Sequence, residues 1–217
     1  VSANYNWQNK SYETGFGLAY GERAPSVSEG YGFYLYNSND FYDYIGNPNL
    51  KNEISYEGNA SAGFKNEKLS IQGKINYFYI ENYIIGRILS MGSPMNYQSV
   101  GVKGYTSLDY ATLFNFSLNA DYSVLENLHW KGVLTYARGL DNDKGNLPFI
   151  RPLSYQTSVH LAYKKLGFQT SLNGDFEQIN YSPEYGEDQT PAYTIWNLSA
   201  DYTFKINKVR STIQVGA

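Results

Sequence analysis

The segment Phe114-Asn115-Phe116-Ser117-Leu118-Asn119-Ala120-Asp121-Tyr122-Ser123-Val124 decides how this chain folds. Every second residue is apolar or aromatic, and every residue between them is Asn, Ser or Asp. Successive side chains of an extended strand point to opposite faces, so this segment has one oily face and one strongly polar face. The pattern returns in Leu153, Tyr155, Thr157, Val159, Leu161 and Tyr163, interleaved with Ser154, Gln156, Ser158 and His160. It returns again in Phe168, Thr170, Leu172, Gly174 and Phe176 against Gln169, Ser171, Asn173, Asp175 and Glu177. A last clear run sets Trp196, Leu198, Ala200, Tyr202 and Phe204 against Asn197, Ser199, Asp201 and Thr203.

Extended to the whole chain, the alternation predicts about ten strands, at 1–8, 12–20, 53–64, 69–85, 105–124, 129–139, 153–164, 167–180, 192–204 and 209–217, and no helix. Short spacers such as Asn9-Lys10 and Lys164-Lys165-Leu166 alternate with long ones at 21–52, 86–104, 140–152 and 181–191. Antiparallel strands joined short, long, short, long carry every long loop at one end, which is the asymmetry of an outer-membrane barrel.

Composition narrows the choice. Charged residues reach only 17% of the 217, against roughly a quarter in ordinary soluble domains. The net charge of −3 disfavours a nucleic-acid partner, which calls for a basic face. With no Cys, the chain holds no disulfide, no Cys-bound zinc and no iron–sulfur cluster. No stretch of about 18 apolar residues is present, so no helix crosses a bilayer. Alternating transmembrane strands escape that test, because their two faces average to a polar score.

A soluble β-sandwich would also alternate, with its oily faces inside. Two features favour a membrane barrel. The runs exceed the usual five or six residues of a soluble strand, and the polar face is uniformly Asn, Ser, Asp, Gln and Thr, as a wet lumen requires. Trp7, Tyr20, Tyr122, Trp130, Tyr136, Tyr163, Trp196 and Tyr202 lie near strand ends, where amphipathic rings settle at a membrane interface. The expected fold is all-β, an antiparallel transmembrane β-barrel.

Residues 21–53 carry a specific likeness. They read Gly21-Glu22-Arg23-Ala24-Pro25-Ser26-Val27-Ser28-Glu29-Gly30-Tyr31 and, after an aromatic loop, Gly46-Asn47-Pro48-Asn49-Leu50-Lys51-Asn52-Glu53. This resembles the barrel of TonB-dependent outer-membrane receptors, in which an Arg-Ala-Pro-Ser segment leaves one strand and a Gly-Asn-Pro-x-Leu-Lys-x-Glu segment introduces the next. Tyr136-Ala137-Arg138-Gly139, Asp141-Asn142-Asp143, Leu147-Pro148 and Arg151-Pro152-Leu153 resemble a later strand–loop–strand unit, nearest the copper, vitamin and siderophore branches.

The resemblance implies a 22-stranded barrel closed by a plug, with residues 1–217 as a partial barrel domain lacking the plug, the early strands and the last hairpin. It implies import of a scarce nutrient (a metal chelate, vitamin, haem or siderophore) with no chemistry on the cargo and no cofactor. The implied setting is a Gram-negative outer membrane, among lipid and lipopolysaccharide. The implied partners are the TonB energy-coupling complex, reached through the plug region, the small nutrient ligand and a surface partner protein. Arg23, Ala24, Pro25, Asn47, Pro48, Asn49 and Leu50 would shape the loop base. Two other readings stay open: a complete ten-stranded barrel acting as adhesin or enzyme, and a soluble carbohydrate-binding β-protein.

Candidate sites are few. His129 and His160 fall on separate strands, both on the polar face and without a nucleophile beside them, so no catalytic constellation forms and the chain reads as a non-enzyme. Tyr31, Phe33, Tyr34, Tyr36, Phe41, Tyr42 and Tyr44 crowd the first long loop, with Asp40 and Asp43, which suits stacking against a flat or amphipathic ligand, or internal packing that stiffens the loop. Residues 26–46 hold no His, so a haem-iron imidazole is not expected there. Met91 and Met95 in the second long loop offer soft thioethers of the kind that bind Cu(I).

Overall fold

The computed structural model describes residues 1–207 and 209–217. Its elements are β1 (Ser2–Gln8), β2 (Tyr12–Arg23), α1 (Val27–Tyr31), β3 (Leu35–Asn37), β4 (Tyr42–Ile45), β5 (Glu53–Lys65), β6 (Leu69–Glu81), β7 (Ile84–Ile88), β8 (Gly101–Ser107), β9 (Tyr110–Leu125), β10 (Leu128–Asp141), β11 (Ser154–Tyr163), β12 (Leu166–Asp175), β13 (Tyr193–Ile206) and β14 (Val209–Gly216). Ten strands form one antiparallel sheet in the order β1-β2-β5-β6-β9-β10-β11-β12-β13-β14. The expected count and the nearest-neighbour order both hold. Among the described residues β1 pairs only with β2 and β14 only with β13, so the ten strands do not close into a small barrel of their own.

Register keeps the two faces apart. Phe116 stands opposite Tyr136 and Leu118 opposite Leu134, while Asn119 faces Val133 and Asp121 faces Lys131. The oily rows are largely uncovered among the described residues: Phe16, Leu18, Trp196 and Leu198 are all exposed, Leu18 at 71%. An uncovered apolar surface of this extent, continuous over long strands, is a hydrocarbon-facing wall. On the polar face, Asn4 and Asn6 of β1 and Asn59 and Ser61 of β5 lie over Gly17 and Gly15 of β2. A methyl at Gly15 would sit 2.7 Å from the Ser61 hydroxyl, so glycine is what lets these polar side chains lie flat on the wall.

The buried core lies at the long-loop end. Ile85, Leu108, Ala111, Leu147 and Tyr185 form it, with Tyr83, Leu113 and Ile150 packed alongside. Above it stands a second, four-stranded sheet in the order β3-β4-β8-β7, with β4 and β8 parallel.

This second sheet corrects two strand expectations. The run expected at 69–85 breaks at Asn82, which takes φ 54°, and the chain crosses from β6 into β7 of the loop sheet. The run expected at 105–124 breaks between β8 and β9. Alternation continues across both breaks because both neighbours are strands, so the pattern alone hides them. Two backbone bonds stitch the breaks together, Asn82 N–H to Asp109 O (3.0 Å) and Leu108 N–H to Tyr83 O (2.9 Å). The helix expectation also needs correction, since α1 is a short helix inside the first long loop. Ser26 caps it by accepting from the Glu29 N–H, and Glu29 reaches back to the Ser26 N–H (2.6 Å). Ser-x-x-Glu is the sequence signature of that cap.

The wall orientation has a direct test. Leu118→Arg, on the oily row of β9, should lower the unfolding free energy of the receptor in lipid by about 2–4 kcal/mol. Asn119→Arg, one residue away on the polar row, should cost a small fraction of that. Denaturant titration in liposomes reads both.

Candidate ligand site at the long-loop end

The first long loop is held at its base by one guanidinium. Arg23, the last residue of β2, donates through Nε to Glu53 Oε2 (2.6 Å), through Nη1 to Glu29 Oε2 (2.8 Å) and through Nη2 to Glu29 Oε1 (3.1 Å). The fork geometry of Arg suits such a two-carboxylate clamp. Glu53 Oε1 also accepts from the Ile84 N–H (2.7 Å), which ties in the start of β7. Asn47 N–H donates to Glu29 O (2.8 Å), Gly46 N–H donates to Gly32 O (2.7 Å), and Asn47 Nδ2 reaches Tyr105 O (3.3 Å). Asn47 Oδ1 accepts from the Asn49 N–H (3.0 Å), and Leu50 N–H returns to Asn47 O (3.3 Å), turning the chain through Pro48 into β5. Ala24 and Pro25 bridge β2 to the helix cap. The two sequence segments 23–29 and 46–53 are thus two halves of one clamp. The hydrogen bonds to Glu29 and Glu53 raise the Arg23 pKa. Burial opposes ionisation of Glu29, but the Arg23 and Ser26 bonds outweigh it and hold this carboxyl below its ordinary 4.5.

Above the clamp a lysine is buried. Lys103 of β8 lies 2.6 Å from Asp40 Oδ2, and both side chains are 1% exposed. The Tyr44 hydroxyl donates to the same oxygen (2.5 Å), and burial followed by this bond pushes the phenol upward, so it stays a donor. The ammonium sits 4.2 Å from the Tyr42 ring centroid and 5.6 Å from those of Tyr44 and Phe149. A desolvated cation enclosed by ring faces gains from their quadrupoles. Asp43 is fully buried, and its Oδ2 accepts from the Met95 and Asn96 N–H groups (2.7 and 3.1 Å), anchoring the second long loop to the first.

A cavity of about 720 Å³ opens between these loops and the one at 178–190. Phe41, Tyr42, Phe149, Arg151, Glu187 and Asp188 are among its lining residues. Phe41 and Phe149 are more than half exposed, and both hold left-handed backbones, at φ 59° and 62°. Such conformations cost free energy in a bulky residue and concentrate at ligand clamps. Glu187 fixes this part of the loops: it accepts from the Phe149 N–H (3.0 Å), Gln178 Nε2 (2.8 Å) and the Ser182 N–H (2.9 Å). Arg151 is exposed and donates to Asp175 Oδ1 (2.8 and 3.0 Å).

Of the ring residues singled out in the sequence, Phe41 and Tyr42 line the cavity and Tyr44 is buried behind it. Tyr31 and Phe33 are exposed elsewhere, Tyr34 pairs edge-on with Phe33 (centroids 4.9 Å), and Tyr36 is half-buried in β3. Met91 and Met95 are exposed on the second loop. Sequence reading passed over Lys103 and Phe149, and it takes Glu187, beside Glu184 and Asp188, for a solvated loop surface, whereas the structure buries it. A lysine in the alternating Val102-Lys103-Gly104 and a phenylalanine among loop prolines were the available signals. Among the described residues no group of three or more His, Cys, Asp or Glu is placed to hold a metal.

A family model for the TonB-dependent receptor-like β-barrel matches residues 2–217. The chain belongs to that family. Its members are outer-membrane transport receptors, so the family is one of transporters rather than enzymes. The solved structure of the copper transporter OprC superposes over 98% of this chain and 32% of its own, at TM-score 0.79 and 17% identity. The siderophore receptor PirA from Pseudomonas aeruginosa covers 94% of this chain and 33% of its own, at TM-score 0.63 and 18% identity. The ferric enterobactin receptor PfeA covers 93% and 32%, at TM-score 0.70 and 16% identity. These likenesses show the fold, and the chain spans about a third of the length of each structure. No curated protein matches it by sequence.

Removing the buried cation should uncover the energetics of the loop sheet. Lys103→Met leaves Asp40 buried and unpaired and should lower hydrogen-exchange protection of β4 and β8 by about 3 kcal/mol. Adding Asp40→Asn should recover much of that loss. Acid should also loosen the base clamp. Because the folded-state Glu29 pKa is depressed, its stabilisation is present above the ordinary glutamate value and is lost as pH falls through the folded value. Exchange protection at 26–32, taken relative to the intrinsic rate, should therefore fall below about pH 4.5, and Glu29→Gln should show that lower protection already at neutral pH.

Proposed function

We propose that this chain forms wall strands and ligand-gathering loops of a receptor that imports a small, flat metal chelate through a plugged outer-membrane barrel. The observation carrying the reading is the pair of exposed phenylalanines in strained conformations, Phe41 and Phe149, lining one cavity beside Tyr42 and Arg151. Rings of this kind stack against planar ligands, and a guanidinium engages carboxylate or phenolate oxygens. The polar wall rows would hydrogen-bond a plug, through which the TonB complex delivers energy, while the oily rows meet lipid and lipopolysaccharide. Copper and siderophore cargo both fit the family.

Phe41→Ala and Phe149→Ala should each weaken binding of a catecholate iron chelate to the receptor by roughly tenfold, equal to about 1.4 kcal/mol. Arg151→Gln should do the same, while Tyr31→Ala and Phe33→Ala, off the cavity, should leave affinity unchanged. Equilibrium fluorescence quenching by the chelate measures all five. If the cargo is instead a copper ion, Met91→Leu with Met95→Leu would lower copper uptake and the ring variants would not.

A further inference from the structure

The two histidines of the chain come together on the polar wall. His129 of β10 and His160 of β11 are direct cross-strand partners. Directly opposed residues have Cβ atoms about 4.5–5.5 Å apart and on the same face, within reach of a shared ligand for two imidazoles. They line a cavity of about 510 Å³ whose other walls are Asp121, Lys131, Ser158 and Gln169, all from the polar rows. His129 follows the short Glu126-Asn127 turn, so the pair lies at the end of the sheet opposite the long loops.

Three features bear on the site. The β9–β10 register slips beside His129: Leu128 faces Leu125, while His129 faces Ser123, leaving Val124 as an extra residue. Bulges of this kind re-aim side chains. The Ser123 hydroxyl then lies 3.1 Å from His129 Nδ1, which leaves Nε2 as the nitrogen for a ligand. A partner on one ring nitrogen that sets the orientation of the other is the arrangement of metal-binding histidines. Asp121 stands one row away and is held 3.2 Å from Lys131 Nζ, a carboxylate beside the pair with its charge partly balanced.

We propose that His129 and His160 form a two-imidazole site for a borderline divalent transition cation, Cu²⁺ in the first instance, on the inner wall at the short-turn end. Imidazole nitrogens suit copper, nickel and zinc and not calcium or magnesium. Two protein ligands leave the remaining positions to water or to groups the cation brings with it, so the site holds a cation without burying it. This inference stands apart from the identity of the ligand in the loop cavity, since it uses none of those residues.

The test uses the receptor carrying this chain, purified in detergent and titrated with Cu²⁺ alone. Electron paramagnetic resonance should show nitrogen hyperfine coupling that is lost in the His129→Gln, His160→Gln double variant. Each single variant should bind at least about tenfold more weakly, the loss that even an outer-shell partner of a metal ligand causes. Lys131→Gln removes a cation beside the site and frees Asp121, so it should tighten binding. Native heat-modifiable mobility on gels shows that each variant is folded, and if one single variant fails that check the other carries the comparison. Equal Cu²⁺ affinity and an unchanged spectrum in the double variant would overturn the site, as would weaker binding in Lys131→Gln. Neither result bears on chelate binding by the Phe41 and Phe149 variants, so the two proposals fail separately.

Discussion

Backbone amides and carbonyls in hydrocarbon have no water to bond, and each unpaired group costs several kcal/mol. A wall of long antiparallel strands meets that constraint by pairing every interior group across the sheet, and the rest of this molecule follows. The strands are long because they span, the outward rows are oily because they meet lipid, and the inward rows are Asn, Ser, Asp and Gln because they meet water and other polar groups. The same constraint removes the ordinary hydrophobic core from the middle of the sheet. Leu118 is exposed and Phe116 half-exposed, each opposite a residue of its own row, and among the described residues the sheet has no second layer across its middle.

The buried core therefore appears where the bilayer ends. Ile85, Leu108, Ala111, Leu147 and Tyr185 lie at the long-loop end, and they seat a small sheet made of loop residues. Polar contacts complete the loop scaffold. Arg23 joins Glu29, six residues on, to Glu53, 30 residues on, and Lys103 pairs with Asp40, both side chains almost wholly buried. A buried ion pair is not in itself a strong source of stability, because desolvation offsets much of the attraction. Its effect here is geometric: Lys103 sits against Asp40 and the faces of Tyr42, Tyr44 and Phe149, and Tyr42 and Phe149 line the cavity.

That rigidity bears on the ligand binding proposed for these loops. Phe41 and Phe149 keep left-handed backbones while exposing their rings, and Glu187 holds the Phe149 N–H in place. A ligand that stacks on such rings finds them already ordered, so less conformational entropy is lost on binding. At the far end of the wall, the bulge at Val124 and the Ser123 contact order His129 in the same manner.

The alternation in residues 114–124 was enough to set strand and face, because a period of two leaves one consistent assignment of oily and polar rows; that the oily rows look outward came from the length of the runs and the uniformly polar opposite face. The two boxes at 23–29 and 46–53 were legible as motifs, although the capping box at Ser26 and Glu29 passed unread within the first. Other features depended on the tertiary structure. The breaks at Asn82 and Leu108 were invisible because both sides continue the same alternation, and only the second sheet reveals that the chain changes layers there. Lys103 reads in sequence as one more polar strand residue; its burial arises because Asp40, 63 positions earlier, is folded onto it. The pairing of His129 with His160 likewise rests on a register fixed by a turn and a bulge. Sequence carries local periodicity directly, whereas long-range partners emerge only when loops of quite different origin are brought to one place.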